Sequence, residues 1–233
     1  MCFLELAKLG RMALDLLFPR RCVGCGKEGD FICSSCLNLL ERITPPLCTK
    51  CGRPEEGGVS CSSCSSFKAI DGIRSPFKFE GVMRQAIHQF KYANVRALLV
   101  PLAELLGDFL AKNPMPGEVL VPVPLHPKRL KQRGYNQSSL LVGGLGKLAN
   151  LPVVDDCLIR VRHTPPQAKT LTAAERSLNV ESAFSCLNQN LREKKVLLID
   201  DVSTSGTTLD ACAQALKAAG ATSVWGLTLA REV

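Results

Sequence analysis

Four Cys-x-x-Cys pairs within 43 residues constrain this chain more than any other feature of its sequence. One such pair turns two sulfur atoms toward a common point, and two pairs supply the four thiolates of a tetrahedral site that suits Zn²⁺. Four pairs therefore predict one or two structural zinc sites in which protein fills every coordination position. The predicted ligands are Cys22, Cys25, Cys33, Cys36, Cys48, Cys51, Cys61 and Cys64.

The spacing leaves open how the four pairs combine. The simplest arrangement is sequential, with the cysteines of residues 22–36 closing one site and those of residues 48–64 closing the other. A cross-braced arrangement is the alternative, and a disulfide framework or redox-active dithiols are other readings of the pairs. We favour zinc because a reducing compartment is expected, because no βαβ pattern surrounds any pair, and because so small a module would hardly fold without metal.

The first 20 residues read as an amphipathic helix, since their leucines recur at helical spacing. Lys8 and Arg11 interrupt the apolar stretch, so we expect neither a secretory signal nor stable membrane insertion. The expected location is the cytoplasm. We expect the helix to pack on the following module, with peripheral membrane contact as the alternative.

Residues 67–233 alternate between strand-like and helix-like runs. This alternation predicts an α/β fold, a parallel sheet flanked by helices, after a small cysteine-rich zinc-ribbon module at residues 21–66. Such sheets bind ligands at the carboxyl ends of their strands. The predicted strands cover residues 73–80, 119–123, 153–159, 196–199 and 223–229, and the predicted helices cover residues 82–92, 96–112, 138–149 and 206–219.

The segment 196–216, VLLIDDVSTSGTTLDACAQAL, carries the most specific motif. An apolar strand ends in Asp200 and Asp201, a loop of small hydroxyl and glycine residues follows, and a helix then begins. A helix N-terminus suits a phosphate, and Gly206 allows the backbone to approach it closely. The two carboxylates could accept hydrogen bonds from a sugar diol or help hold Mg²⁺. An ordinary strand–turn–helix is the alternative, and a Walker A loop is excluded because no Gly-Lys-Ser/Thr follows.

This segment resembles the signature with which type I phosphoribosyltransferases bind 5-phosphoribosyl-1-pyrophosphate (PRPP). The resemblance implies that Asp200 and Asp201 bind the ribose hydroxyls and that the loop cradles the 5′-phosphate. The implied phosphate contacts are Ser203, Thr204, Ser205, Gly206, Thr207 and Thr208.

Two further segments accompany this motif. Four cations, Lys128, Arg129, Lys131 and Arg133, follow the predicted strand 119–123 within six residues. They could neutralise a pyrophosphate, with arginine suited to bidentate contacts; a solvated basic turn and a nucleic-acid backbone contact are the alternatives. Residues 162–184 form a polar insertion that we interpret as a lid or as a plain surface connection.

The order of the motifs is that of a narrower family. FPRRC, the four cysteine pairs, HQFKY, PVPLHPKRLKQRGYNQ, TPPQ and IDDVSTSGTT follow one another along nearly the whole chain. In this order the chain resembles the ComF family, whose members join a zinc-finger module to a phosphoribosyltransferase-like domain, some of them linked to DNA uptake in natural transformation.

The ComF resemblance implies further contacts. It points to Arg129 and Arg133 near the pyrophosphate with Mg²⁺, together with Gly134, Asn136 and Gln137. In the lid region it points to Gln167, Asn179 and Arg176, the last as a catalytic residue. It assigns no role to His88, Lys91 or Tyr92, which packing of a helix face on the sheet would explain equally well.

Two classes of function follow. In a phosphoribosyltransferase, an acceptor displaces pyrophosphate at ribose C1, but no feature of the sequence names the acceptor. The alternative is a non-catalytic PRPP sensor or adaptor in competence that binds single-stranded DNA or a helicase-type partner. The formal charge of +8 suits anionic ligands in either case. A sequence-specific transcription factor is disfavoured because residues 22–64 carry little net charge and no basic recognition helix.

Overall fold

The structure is a computed structural model that describes residues 19–92, 95–161, 183–187 and 191–233. The predicted N-terminal helix lies outside these residues apart from positions 19 and 20. The predicted lid also lies outside them apart from its last two residues. The implied roles of Gln167, Arg176 and Asn179 therefore stay predictions.

A parallel sheet forms the centre of the molecule. Its order is β1–β7–β6–β3, and β2 pairs with the last part of β7. A separate antiparallel pair is formed by β4 and β5. The strands are β1 (Gly72–Arg74), β2 (Phe77–Lys78), β3 (Val119–Pro122), β4 (Leu158–Arg160), β5 (Phe184–Cys186), β6 (Lys195–Ser203) and β7 (Ser223–Arg231).

Helices cover the two faces of this sheet, as its fully apolar inner strands require. Single turns of 3-10 helix occupy Ser62–Cys64 and Arg96–Leu98. The α-helices are α1 (Ser34–Asn38), α2 (Gly81–Tyr92), α3 (Leu99–Lys112), α4 (Pro127–Arg133), α5 (Gln137–Ala149) and α6 (Thr207–Ala218).

Two strand predictions need correction. The predicted strand 73–80 is broken into β1 and β2 around Pro76, which has no N–H to donate to the sheet. The predicted strand 153–159 is wrong over most of its length. Val153 makes a single parallel bridge to Leu120, and regular pairing begins only with the antiparallel β4.

The basic segment after β3 is a helix rather than a turn. Pro127 occupies its first turn, where a missing N–H costs nothing, and the side chain of His126 accepts a hydrogen bond from Lys128 N. Gly134 ends the helix with φ of 79°, the left-handed conformation that glycine adopts readily. The four cations, for which a solvated basic turn was one alternative, are thus spaced along one short helix.

The cysteine-rich region packs into the same core as the sheet. On one face, Val196 and Leu198 of β6 share a buried cluster with α6 and the cysteines of residues 48–64. On the other face, Leu197 and Ile199 share a cluster with α2, α3, α5 and Cys22 and Cys36. The boundary between residues 66 and 67 stays a prediction, but apolar contacts continue across it.

In the described part of the chain, no helix has both the length and the apolar character needed to cross a lipid bilayer.

Candidate functional site

The eight paired cysteines gather into two four-cysteine sets. Within each set the four Sγ atoms lie within 4.8 Å of one another. The sets follow the sequential arrangement: the first ribbon holds Cys22, Cys25, Cys33 and Cys36, and the second ribbon holds Cys48, Cys51, Cys61 and Cys64. The cross-braced alternative does not occur.

The donor chemistry of both ribbons fits Zn²⁺, which prefers four thiolates in a closed structural site. Cys48 Sγ accepts hydrogen bonds from the backbone N–H groups of Cys51 and Cys61, each at 3.3 Å. Burial works to raise the pKa of Cys48, but these N–H groups, with that of Lys50 and the Cys51 side chain, together outweigh burial and lower the pKa to about 6. Bound zinc would supply a crosslink between chain segments, held in each ribbon by its four sulfurs.

The two acidic residues lie near the carboxyl end of β6, between β3 and β7. Asp200 Oδ1 accepts a hydrogen bond from Ser138 Oγ at 2.9 Å and from the N–H of Asp201 at 2.9 Å. Asp201 is almost fully buried. Two carboxylates on adjacent, largely buried residues repel each other, so the site needs compensating positive charge.

Lys91 supplies that charge. Its Nζ lies 2.7 Å from Asp201 Oδ1, and both side chains are largely shielded from solvent. Burial works to lower the pKa of Lys91, but the charge of Asp201 and the hydrogen bond to it outweigh burial and raise the pKa. The family resemblance assigns no role to Lys91, so the sequence did not predict this contact.

Asp200 takes up a proton more readily than an ordinary carboxylate does. Burial, and next the charge of Asp201, raise the pKa of Asp200 to about 7. Lys91, the N–H of Asp201 and the hydroxyl of Ser138 oppose this rise. Asp200 is therefore partly protonated and partly ionised near neutral pH. A small change in its surroundings would shift the balance between the two forms.

The loop after β6 leads directly into α6. Gly206 has φ of 85° and caps the helix, and a Cβ atom there would lie 2.5 Å from Cζ of Phe67. Ser205 Oγ accepts a hydrogen bond from Thr207 N at 3.4 Å. The hydroxyl of Ser203 is buried and has no hydrogen-bond partner among the described residues. This backbone presents a helix N-terminus, an environment that favours anions.

Asp210, in the first turn of α6, ties this helix to the chain that leaves the second ribbon. Its carboxylate accepts hydrogen bonds from three consecutive N–H groups: Lys68 at 3.1 Å, Ala69 at 2.9 Å and Ile70 at 2.9 Å. The negative charge in this turn is thus satisfied by backbone donors at the second ribbon. The sequence motif did not reveal this contact.

The cations of α4 lie on the element that follows β3. Arg133 donates a hydrogen bond to Gln137 Oε1 at 2.6 Å, and its guanidinium carbon lies 4.9 Å from the centre of the Tyr92 ring. Arg129 acts on Arg160 of β4: burial, and next the charge of Arg129, lower the pKa of Arg160, while Asp200 works to raise it. Arg129, Arg160 and Asp200 therefore share one electrostatic neighbourhood, and sequence analysis missed Arg160.

Asn136 and Gly134 have local structural roles. Asn136 caps α5 by accepting a hydrogen bond from Ser138 N, and its amide donates to Val123 O at 3.0 Å. These contacts fix the start of α5, the helix that carries Ser138 to Asp200.

Comparison with known proteins accords with this arrangement. A family model described as a double zinc ribbon domain matches residues 13–65, and one described as a phosphoribosyl transferase domain matches residues 143–231. The chain is 30% identical to competence protein ComFC of Bacillus subtilis over 215 residues, which cover 88% of this chain and 86% of that one.

Two other relatives are similarly close. Competence protein F of Haemophilus influenzae is 30% identical over 233 residues, covering 91% of this chain and 98% of its own. DNA utilization protein YhgH of Escherichia coli K12 is 29% identical over 213 residues, covering 84% of this chain and 89% of its own. The similarity to each of the three covers more than four-fifths of this chain.

Proposed function

Since the chain belongs to the ComF family, we propose that it binds PRPP at the carboxyl end of β6 and acts in the cytoplasm in the uptake or use of DNA. The names of its relatives, competence and DNA utilization proteins, support the second part. The first part rests on the chemistry of the site.

One observation carries the PRPP proposal: two carboxylates lie near the carboxyl end of β6, only a few residues before a glycine-capped helix N-terminus. The acids attract hydroxyl groups and repel phosphate, whereas the helix N-terminus attracts phosphate. A ribose 5-phosphate carries a diol and a phosphate at opposite ends of one small sugar. Asp200 and Asp201 would then bind the diol, and the backbone and hydroxyls of residues 203–208 would bind the 5′-phosphate.

The pyrophosphate of PRPP would face the cations of α4. Arg129 and Arg133 are suited to it because guanidinium groups bind phosphate oxygens in pairs. Mg²⁺ would accompany the ligand, bound by its pyrophosphate oxygens, and reduce the negative charge that the protein must neutralise. Arg176, outside the described residues, stays a predicted catalytic residue.

The same arrangement suits pentosyl transfer. A bond forms between the acceptor and ribose C1 while the bond from C1 to the pyrophosphate oxygen breaks, and pyrophosphate leaves with the electron pair. Positive charge develops on the sugar in such a step, as in glycoside chemistry, and the neighbouring acids would favour it. The cations of α4 would stabilise the leaving group.

Calorimetric titration of the zinc-loaded protein with PRPP and Mg²⁺ tests this proposal. Wild type should bind, and an Asp200→Asn/Asp201→Asn variant that still folds should not. A matched control is Glu104→Gln/Asp108→Asn, which removes the same charge from the exposed surface of α3. Failure of wild type to bind PRPP would refute the proposal, and binding by the double Asn variant would refute the ribose assignment.

A second candidate function is contact with single-stranded DNA, alone or beside a helicase-type partner. Tyr92 is 66% exposed, and its ring has Arg133 on one side and the His88 ring centre 4.7 Å away. An exposed aromatic ring beside cations is a common platform for stacking bases. Binding of an oligonucleotide should weaken steeply as salt rises and should weaken further in Tyr92→Ala. Salt-independent binding would count against it.

A further inference from the structure

We propose that Lys91 is a positioning residue of the ribose site. Its ammonium group holds the Asp201 carboxylate in one orientation, so that Asp200 and Asp201 can face the hydroxyls of the same sugar. This inference rests on the proposed function. It deepens that function by naming the group that allows the two buried acids to bind a ribose.

The backbone of Lys91 is held firmly. It lies at the end of α2, directly after Phe90, which is fully buried along with Met83, Ala86 and Ile87 of the same helix. The hydroxyl of Tyr135, between α4 and α5, donates a hydrogen bond to the carbonyl of Phe90. The end of α2 is therefore held both by its packing on the sheet and by the segment between α4 and α5. The backbone position from which the Lys91 side chain extends is thus well defined.

The ammonium group reaches an acid that has little access to water. The side chain of Asp201 is 7% exposed and that of Lys91 is 21% exposed. Removal of one partner from a buried ion pair leaves the other charge uncompensated, which costs far more than loss of a surface pair. Without Lys91, the carboxylate of Asp201 would lose the contact that fixes its orientation, which would alter what it offers to a ligand.

The contacts of the two acids are complementary. Asp200 Oδ1 is engaged by Ser138 and the Asp201 N–H, and Asp201 Oδ1 is engaged by Lys91. In the described part of the chain, these contacts all involve Oδ1 of the two acids. Under this proposal, Oδ2 of each acid is the atom that accepts a hydrogen bond from a ribose hydroxyl.

A different role for Lys91 predicts a different result. If Lys91 left Asp201 on ligand binding and contacted pyrophosphate directly, its loss would weaken pyrophosphate itself. If it acts through Asp201, its loss should weaken only ligands that carry the ribose. Inorganic pyrophosphate with Mg²⁺ is therefore the ligand that separates the two roles.

The test is a double-mutant cycle measured by calorimetry with PRPP and Mg²⁺. Lys91→Met should weaken PRPP about tenfold or more, whereas Lys91→Met in an Asp201→Asn background should cause little further loss, since interacting residues are not additive. Lys91→Arg should recover much of the affinity. Lys147→Met, which removes an exposed charge from α5, should bind as wild type does.

Other outcomes would overturn the inference. Equal PRPP affinity in wild type and Lys91→Met would do so, as would fully additive losses in the cycle or an equal loss of pyrophosphate binding. If Lys91→Met fails to fold, Lys91→Gln keeps a hydrogen-bond donor and takes its place in the cycle. A wild type that binds no PRPP defeats the proposed function itself, which is a separate result from binding that does not depend on Lys91.

Discussion

Gly206 lies directly against the ring of Phe67, the third residue after the last ribbon cysteine. A single contact thus connects the loop proposed to hold phosphate with the chain leaving the second ribbon. Asp210 reinforces it through the N–H groups of residues 68–70. The chain that leaves the second ribbon therefore supports the N-terminal end of α6.

Gly206→Ala should destabilise the protein and weaken PRPP binding. The new Cβ would meet Cζ of Phe67 at 2.5 Å, and φ of 85° is unfavourable for alanine. We expect a loss of about 2 kcal/mol or more in the free energy of unfolding, measured by urea denaturation. Gly143→Ala is the control, because a Cβ there meets nothing within 4 Å; it should be neutral or slightly stabilising.

Asp210→Asn should lower the free energy of unfolding by roughly 2 kcal/mol, since hydrogen bonds to a charged acceptor contribute more than neutral ones. Asparagine offers one acceptor oxygen and places an NH₂ group near the backbone donors of residues 68–70. Asp108→Asn, exposed on α3, should change the free energy of unfolding little. Equal stability of the Asp210→Asn variant and wild type would show that these hydrogen bonds do not anchor α6.

Loss of the second ribbon's metal should disturb the sheet more than loss of the first. All four cysteines of the second ribbon are buried, whereas Cys25 of the first is exposed. Trp225, the sole tryptophan, can report the change: Arg74 lies over its ring at 5.2 Å and donates a hydrogen bond to Thr49 O in the second ribbon. We expect Cys61→Ser to alter tryptophan fluorescence and PRPP binding more than Cys25→Ser does.

Metal analysis checks the same prediction by stoichiometry. Wild type should hold about two zinc ions per chain, and each serine variant should hold about one. Two zinc ions in the Cys61→Ser variant would mean that three sulfurs suffice at the second ribbon. In that case the fluorescence comparison would have to be made after chelation.

PRPP affinity should rise with pH between about 6 and 8. The pKa of Asp200 is raised to about 7, so its carboxylate form, the better acceptor for a ribose hydroxyl, becomes dominant across this range. The profile should follow one ionisation in calorimetry with Mg²⁺ at constant ionic strength. A flat profile would mean that Asp200 binds equally well in both forms or does not contact the ligand.

The stability of the unliganded protein should move in the opposite direction. Because the folded pKa of Asp200 exceeds its unfolded value, the folded state binds more protons between about pH 4 and 7, and this group's contribution to stability falls as pH rises. Asp200→Asn should therefore raise the free energy of unfolding at pH 7 or above, by about 1 kcal/mol or more, while abolishing PRPP binding. Thermal unfolding at pH 5 and pH 8 would measure the difference.

Much of the site was predictable because it is contiguous in sequence. Asp200, Asp201 and Gly206 belong to one strand–loop–helix unit, and the eight cysteine ligands occur as local pairs, although the spacing left open how the pairs combine. The contact of Lys91 with Asp201 was not predictable, since it depends on where the end of α2 lies relative to β6. Arg160 was not predictable for the same reason: Asp200 influences its pKa, but Arg160 lies on β4, a strand whose pairing the sequence pattern did not give.

Local signals in the sequence also explain why two parts of the fold were predicted wrongly. Pro127 and Gly134 mark the two ends of α4 by the ordinary rules for helix termini. The predicted helices did not include α4, because the segment was interpreted from its four cations alone. The predicted strand 153–159 contains Asp155 and Asp156, which are exposed and separate the bridge at Val153 from β4. These two charged residues interrupt the apolar pattern on which the prediction of a continuous strand depended.

The buried Arg231, at the end of β7, donates a hydrogen bond to the carbonyl of Cys51 in the second ribbon. β1, just after that ribbon, also pairs with β7. During vectorial synthesis on the ribosome, the ribbon emerges long before the strand against which it must close. Contacts so distant in sequence are slow to form, so the nascent ribbon would have to keep its thiols from oxidation until β7 has been made.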